Sequence, residues 1–163
     1  MSLLDDVSIV VTPNGYKAGE LYAVVPVPTE GAEEVTNGDF ATDLSGWSTL
    51  GTNATNTITW ESNGARIIST GVNISILQTN ILTIGKTYRL TCDVAITVGK
   101  IGLDGATSGS TVNMVEGFNE IIFTAISTTF KIKRITGNDN CLLDNVSVKE
   151  YTAADMDVTR ATA

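Results

Sequence analysis

The sequence contains no histidine. That removes the side chain most often used as general base, proton shuttle or zinc ligand near neutral pH. It also lacks a nucleophile elbow, a phosphate-binding loop and any zinc-ligand spacing, so no enzyme class is written in its motifs. Cysteine is scarce, with only Cys92 and Cys141, each inside an apolar run. They read as two buried thiols, because nothing in their spacing supports a disulfide. No apolar run approaches the ~18 residues of a membrane-spanning helix. Positive charge is short as well: 10 Lys and Arg face 18 Asp and Glu, a net charge of −8. Such a chain repels nucleic-acid phosphates and anionic membrane surfaces, so neither is expected as a partner. The start, Met1 to Asp6, has no basic region and no cleavage site, so synthesis and folding in a cytoplasm are expected.

What remains is a strand-forming composition of 163 residues, rich in Thr, Asn, Ser and Gly, with 42% hydrophobic residues. That is enough chain to bury one real core. Residues 1–31 read as an arm. Val7-Ser8-Ile9-Val10-Val11 is one apolar run, Thr12-Pro13-Asn14-Gly15 a turn signal, and Leu21-Tyr22-Ala23-Val24-Val25 a second run closed by Pro26 and Pro28. A lone hairpin is marginal in water. Val7, Ile9, Val11, Leu21, Tyr22 and Val24 are therefore expected to find burial against another copy or a docking partner.

Residues 32–151 read as the body. Tyr88, Leu90, Cys92, Val94 and Ile96 alternate with polar residues at period two, the pattern of a half-buried strand. Further strands are expected at 57–61, 65–69, 75–79, 119–125, 130–135 and 142–149, separated by Gly, Asn and Ser clusters. Gly99 to Gly102 and Gly105 to Gly109 read as hairpin turns. Leu142, Asp144, Val146 and Val148 fall on one face at period two, so Asp144 is expected to need polar partners there. Lys131, Lys133 and Arg134 read as the solvent face of one strand, with a minor role opposite an acidic neighbour. Residues 152–163 read as a linker or the start of a further segment. The expected architecture is an all-β jelly-roll sandwich with an extended N-terminal β arm.

Asn37-Gly38-Asp39-Phe40, Gly46-Trp47, Gln78, Leu82 to Tyr88, and Leu143-Asp144-Asn145-Val146-Ser147-Val148 occur in an order that resembles carbohydrate-binding modules of the galactose-binding-like, jelly-roll type. The resemblance spans about residues 34–151. It implies that Phe40 and Trp47 anchor the first strand to the core. It also implies a structural calcium near the joined chain ends, with Asp144 and Asp39 among its ligands. The alternative for Asp144 is capping of its own turn by accepting backbone N–H bonds. No other cofactor is expected.

The two ends carry a second resemblance. Leu3 to Pro13 with Leu21 to Pro26 is similar to the start of tailed-bacteriophage virion proteins. Asp157-Val158-Thr159-Arg160-Ala161-Thr162-Ala163 is similar to a segment of phage fibre and tail proteins. This implies a virion location, docking of the arm on capsid or tail proteins, and a homotrimer. The main expectation is thus a non-enzymatic virion component, such as a head fibre, decoration or tail protein. The alternative is a module recognising host surface glycans. Sugars stack on exposed rings, and Phe40, Trp47, Tyr88 and Phe123 are expected in the core. Trp60 shares a face with Ile58, which favours burial. If exposed, Trp60 with Asn53, Asn56 and Asn63 would form a shallow sugar site.

Overall fold

The alternating segments become strands and the clusters between them become turns. The computed structural model describes residues 15–17, 20–22, 27–107 and 110–154. Among these are thirteen strands and no helix. β1 (Gly15–Lys17) and β2 (Glu20–Tyr22) form an antiparallel hairpin of their own. Gly15, expected in a turn, is therefore a strand residue that pairs with Tyr22. Val7, Ile9, Val11 and Val24 lie outside the described residues.

Residues 30–152 form a separate compact unit built from two antiparallel sheets. The remaining strands are β3 (Thr29–Glu33), β4 (Ser48–Leu50), β5 (Thr57–Glu61), β6 (Gly64–Thr70), β7 (Ser75–Gln78), β8 (Thr87–Val98), β9 (Ile101–Thr107), β10 (Ser110–Asn113), β11 (Gly117–Thr124), β12 (Phe130–Arg134) and β13 (Asn138–Thr152). One sheet runs β10-β9-β12-β7-β4. The other runs β11-β8-β13-β6-β5, with β3 added beside β13. The boundary expected at residue 31 thus falls inside β3, an integral strand of the sandwich.

The inward faces meet in one core. Ile67, Tyr88, Leu90, Cys92, Leu143 and Val148 come from the larger sheet, and Ile76, Ile101, Leu103, Phe130 and Ile132 from the smaller. Each side chain of this size contributes ~1.5–3 kcal/mol when taken out of water. Cys92 and Cys141 are free and buried, and burial pushes their thiols up to about 12 and about 11.

Two expectations fail locally, each for a physical reason. Ile101 and Gly102, expected to end one turn, and Gly105 to Thr107, expected to begin another, all belong to strand β9, because Ile101 and Leu103 alternate inward across Gly102. And β13 does not keep one phase. Cys141 and Leu143 point inward, but the register shifts between Asp144 and Ser147, with Asn145 at φ 50°. Val146 and Val148 are then inward, while Leu142 and Asp144 lie on the opposite, outward side. The extra residue of a β-bulge produces such a phase change.

The bulge is held by the opening loop. The Val146 N–H donates to the Gly38 carbonyl at 2.8 Å, and a Cβ on Gly38 would lie 1.8 Å from the Val146 oxygen. Only glycine fits there. Phe40 and Trp47 pack at 5.3 Å between ring centroids, and Trp47 meets Phe130 at 6.2 Å. The Trp47 indole N–H donates to the Asn37 carbonyl. The Gln78 side-chain amide both donates to and accepts from the Thr36 backbone, fastening the loop to β7.

Candidate functional site

The outward face of the smaller sheet carries an open groove of about 370 Å³. That is the lower end of the usual range for ligand pockets. Period two decides which side chains line it. On β7, Ile76 faces the core, so Leu77 faces outward. Leu77 is only 6% exposed, yet it is not part of the core cluster. It is the floor of the groove. Leu50 from β4, 55% exposed, and Ile126 from the β11–β12 loop, 46% exposed, make apolar walls.

Ser127 and Thr129 line the groove as well, together with the charged pair Asp104 and Lys131. Lys131 pairs across the sheet with Leu77 on one side and Asp104 on the other. Asp104 accepts hydrogen bonds from the ammoniums of Lys131 and Lys133, the latter at 2.6 Å. Burial works to raise the Asp104 carboxyl, but these two lysines hold it below the ordinary carboxylate range, so it stays ionised. The basic run was visible in the sequence. Its partner Asp104 lay between two Gly-rich segments read as turns, and Leu50, Leu77 and Ile126 carried no signal that separates groove from core.

The sequence-derived candidates are not gathered into one place. Trp60 is 42% exposed and not buried. It does share the inward face with Ile58, but it sits at the end of edge strand β5, where the core runs out. Its indole N–H donates to the Phe40 carbonyl at 2.6 Å, which fixes the ring. Asn63 lies beside it in the two-residue β5–β6 turn, where Ser62 and Asn63 both have positive φ. Asn53 and Asn56 are at the opposite end of β5, roughly 13 Å away along the strand. Asn56 is buried. Its Oδ1 accepts from the Thr70 N–H at 2.8 Å, and its amide donates to Asn53 Oδ1 at 2.9 Å. Asn53 Oδ1 also accepts the Thr55 and Asn56 N–H groups. These two asparagines hold a loop together, with Asn56 buried and Asn53 exposed.

Asp144 is raised above the ordinary carboxylate range by burial and by the nearby charges of Asp93 and Asp39. Its Oδ1 accepts the Asn145 N–H at 2.6 Å, the turn-capping arrangement. Calcium takes ~6–8 oxygen ligands. Among the described residues no three or more His, Cys, Asp or Glu side chains are arranged to hold a metal ion. Asp39 and Asp144 do not by themselves make a calcium donor set. Leu21 and Tyr22 lie on β2.

No protein-family model matches the sequence, and no curated protein sequence does. Similarity to solved structures is clear in fold. The chain is similar to the module TmCBM61, solved in complex with β-1,4-galactotriose, at a TM-score of 0.51 and 13% identity, covering 74% of this chain and 99% of that one. It is similar to the K3 cleaved adhesin domain of Lys-gingipain from Porphyromonas gingivalis w83, at a TM-score of 0.52 and 10% identity, covering 76% and 99%. A stretch of tailspike protein 4 from bacteriophage CBA120 also matches, at a TM-score of 0.45 and 15% identity, covering 71% of this chain and 21% of that one. That last likeness carries no argument about a virion. The first two support the fold alone, an all-β jelly-roll sandwich.

Proposed function

We propose that the chain is a non-catalytic module that binds carbohydrate in the groove on the outward face of its smaller sheet. The observation that carries this reading is Leu77, an apolar side chain on the outward face that floors an open groove instead of joining the core. Buried aliphatic floor, exposed aliphatic walls and a few fixed charges are the composition of a small-ligand site. The likeness of fold to a galactotriose-bound module supports the same reading. A glycan array probed with the full chain tests it. Binding is expected, with loss in Leu77→Ala and retention in Trp60→Ala. A blank array would sink the proposal. Loss in Trp60→Ala alone would move the site to the β5–β6 end.

A second reading, a phage virion component docked on capsid or tail proteins through its leading residues, is favoured by one observation. The β1–β2 hairpin lies outside the compact unit of residues 30–152. In this reading the hairpin segment associates copies, as a homotrimer, and the sandwich is displayed from the virion after assembly in the host cytoplasm. The two readings are compatible, since a displayed sandwich still presents its groove. Light scattering of the full chain is expected to give a trimer that becomes a folded monomer when residues 1–28 are deleted. A full-length monomer would contradict it.

A further inference from the structure

Charge beside the groove does not cancel. Lys131 and Lys133 are two residues apart on β12, so both leave the sheet on its outward face. Both ammoniums contact one carboxylate, Asp104. Among the described residues neither lysine has a second acidic partner within ion-pair distance. Two cations against one anion leave one positive charge beside an apolar floor, on a chain whose net charge is −8. The excess is therefore local and positioned. All three groups are partly buried, with side-chain exposures of 34%, 29% and 21% for Lys131, Lys133 and Asp104, so solvent screens them less than a free surface pair.

Hydrogen-bonding capacity is left over as well. An ammonium has three N–H donors and no acceptor. Asp104 engages each lysine and holds both in place, and each keeps donors for a ligand. The groove residues Leu50, Leu77 and Ile126 offer aliphatic contact but no aromatic ring. The exposed aromatic side chains among the described residues, Trp60 and Phe118, belong to the other sheet. A neutral sugar would find no stacking platform here, whereas an acidic sugar finds a matched charge.

We propose that the groove selects saccharides bearing a carboxylate, such as uronic-acid oligomers, a reading that rests on the carbohydrate function above. The sugar carboxylate accepts from Lys131 and Lys133. The apolar side of a ring lies over Leu77 between Leu50 and Ile126. Asp104, behind the lysines, positions them.

The test is isothermal titration of the full chain with trigalacturonate and, in parallel, with β-1,4-galactotriose, together with the acidic and neutral members of the glycan array. Trigalacturonate is expected to bind at least about tenfold tighter than the neutral trimer, the size of one hydrogen bond to a charged group. Its affinity is expected to fall as salt rises, which requires no variant. Lys133→Met, which keeps the stem but not the charge, is expected to lose that preference with its thermal unfolding little changed. Equal or tighter binding of galactotriose, or array hits confined to neutral glycans, would overturn the acidic selectivity and leave the carbohydrate function standing. No binding by either trimer with a blank array would overturn both.

Discussion

The ion-pair networks on the two outward faces of the sandwich differ in their arithmetic: the larger sheet's balances, and the smaller sheet's leaves a cation over. On the larger sheet, Arg89 is held between two carboxylates, Glu30 and Glu120, and Glu30 also meets Lys149 at 3.6 Å. Lys86 pairs with Glu150 at 2.6 Å. These contacts tie β3 to β8 and β13, and β11 to β8. Every charge in the network has a partner inside the protein. On the smaller sheet one carboxylate serves two lysines, and an apolar floor lies open beside them. An ion-pair network whose charges are satisfied internally fastens strands together. A face with charge left over has something to offer a ligand.

Adjacent residues on β7 give the sharpest way to break this contrast. Ile76→Ala, facing the core, is expected to cost about 2–5 kcal/mol of stability by chemical denaturation, the range for emptying a well-packed site. Leu77→Ala, facing the groove, is expected to cost about 1–2 kcal/mol, because water can enter the vacated floor, and to abolish glycan binding. Equal destabilisation with binding retained would mean that Leu77 is simply core.

Buried charge gives the next effect, through pH. Asp139 is buried, and its carboxyl is pushed up by that burial. One oxygen accepts the Lys100 N–H at 2.7 Å and the other has no partner. A group whose pKa is raised on folding adds stability at low pH and loses it as pH rises through the folded value. Asp139→Asn is therefore expected to raise the melting temperature at pH 7, with the gain vanishing below the ordinary carboxylate range. Asp104 has the opposite sign. Its lowered pKa adds stability above that range and loses it as pH falls through the folded value. Asp104→Asn is expected to flatten the acid limb of the stability curve, read by thermal melts across pH.

Smaller still is the effect of the stapling network, whose members are partly exposed. Arg89→Met is expected to lower the melting temperature slightly at low salt and not at high salt. Calcium added in excess over chelator is expected to leave the melting temperature unchanged. A rise would show that calcium binds the native state, and so that oxygens beyond Asp39 and Asp144 complete a site.

The sequence made some of this legible and hid the rest for definable reasons. β8 was readable because Tyr88 to Val94 alternates without interruption. The core roles of Phe40, Trp47, Tyr88 and Phe123 were readable because so few rings exist to fill the core. β13 was readable as a strand but not in its phase, since a bulge leaves no mark on a period-two count. β9 was masked by its glycines. Trp60 was placed on the correct face, but a periodicity does not say where along a strand the core ends. The groove was half legible. The alternating lysines of β12 were plain, whereas Asp104 becomes their partner only through the register of β9 against β12.

The most direct test is a two-dimensional amide NMR titration of the full chain with trigalacturonate. Shifts are predicted to cluster at Leu50, Leu77, Asp104, Lys131 and Lys133. Shifts centred on Trp60 and Asn63 or on the Arg89 network, or no shifts at saturating sugar, would contradict the account.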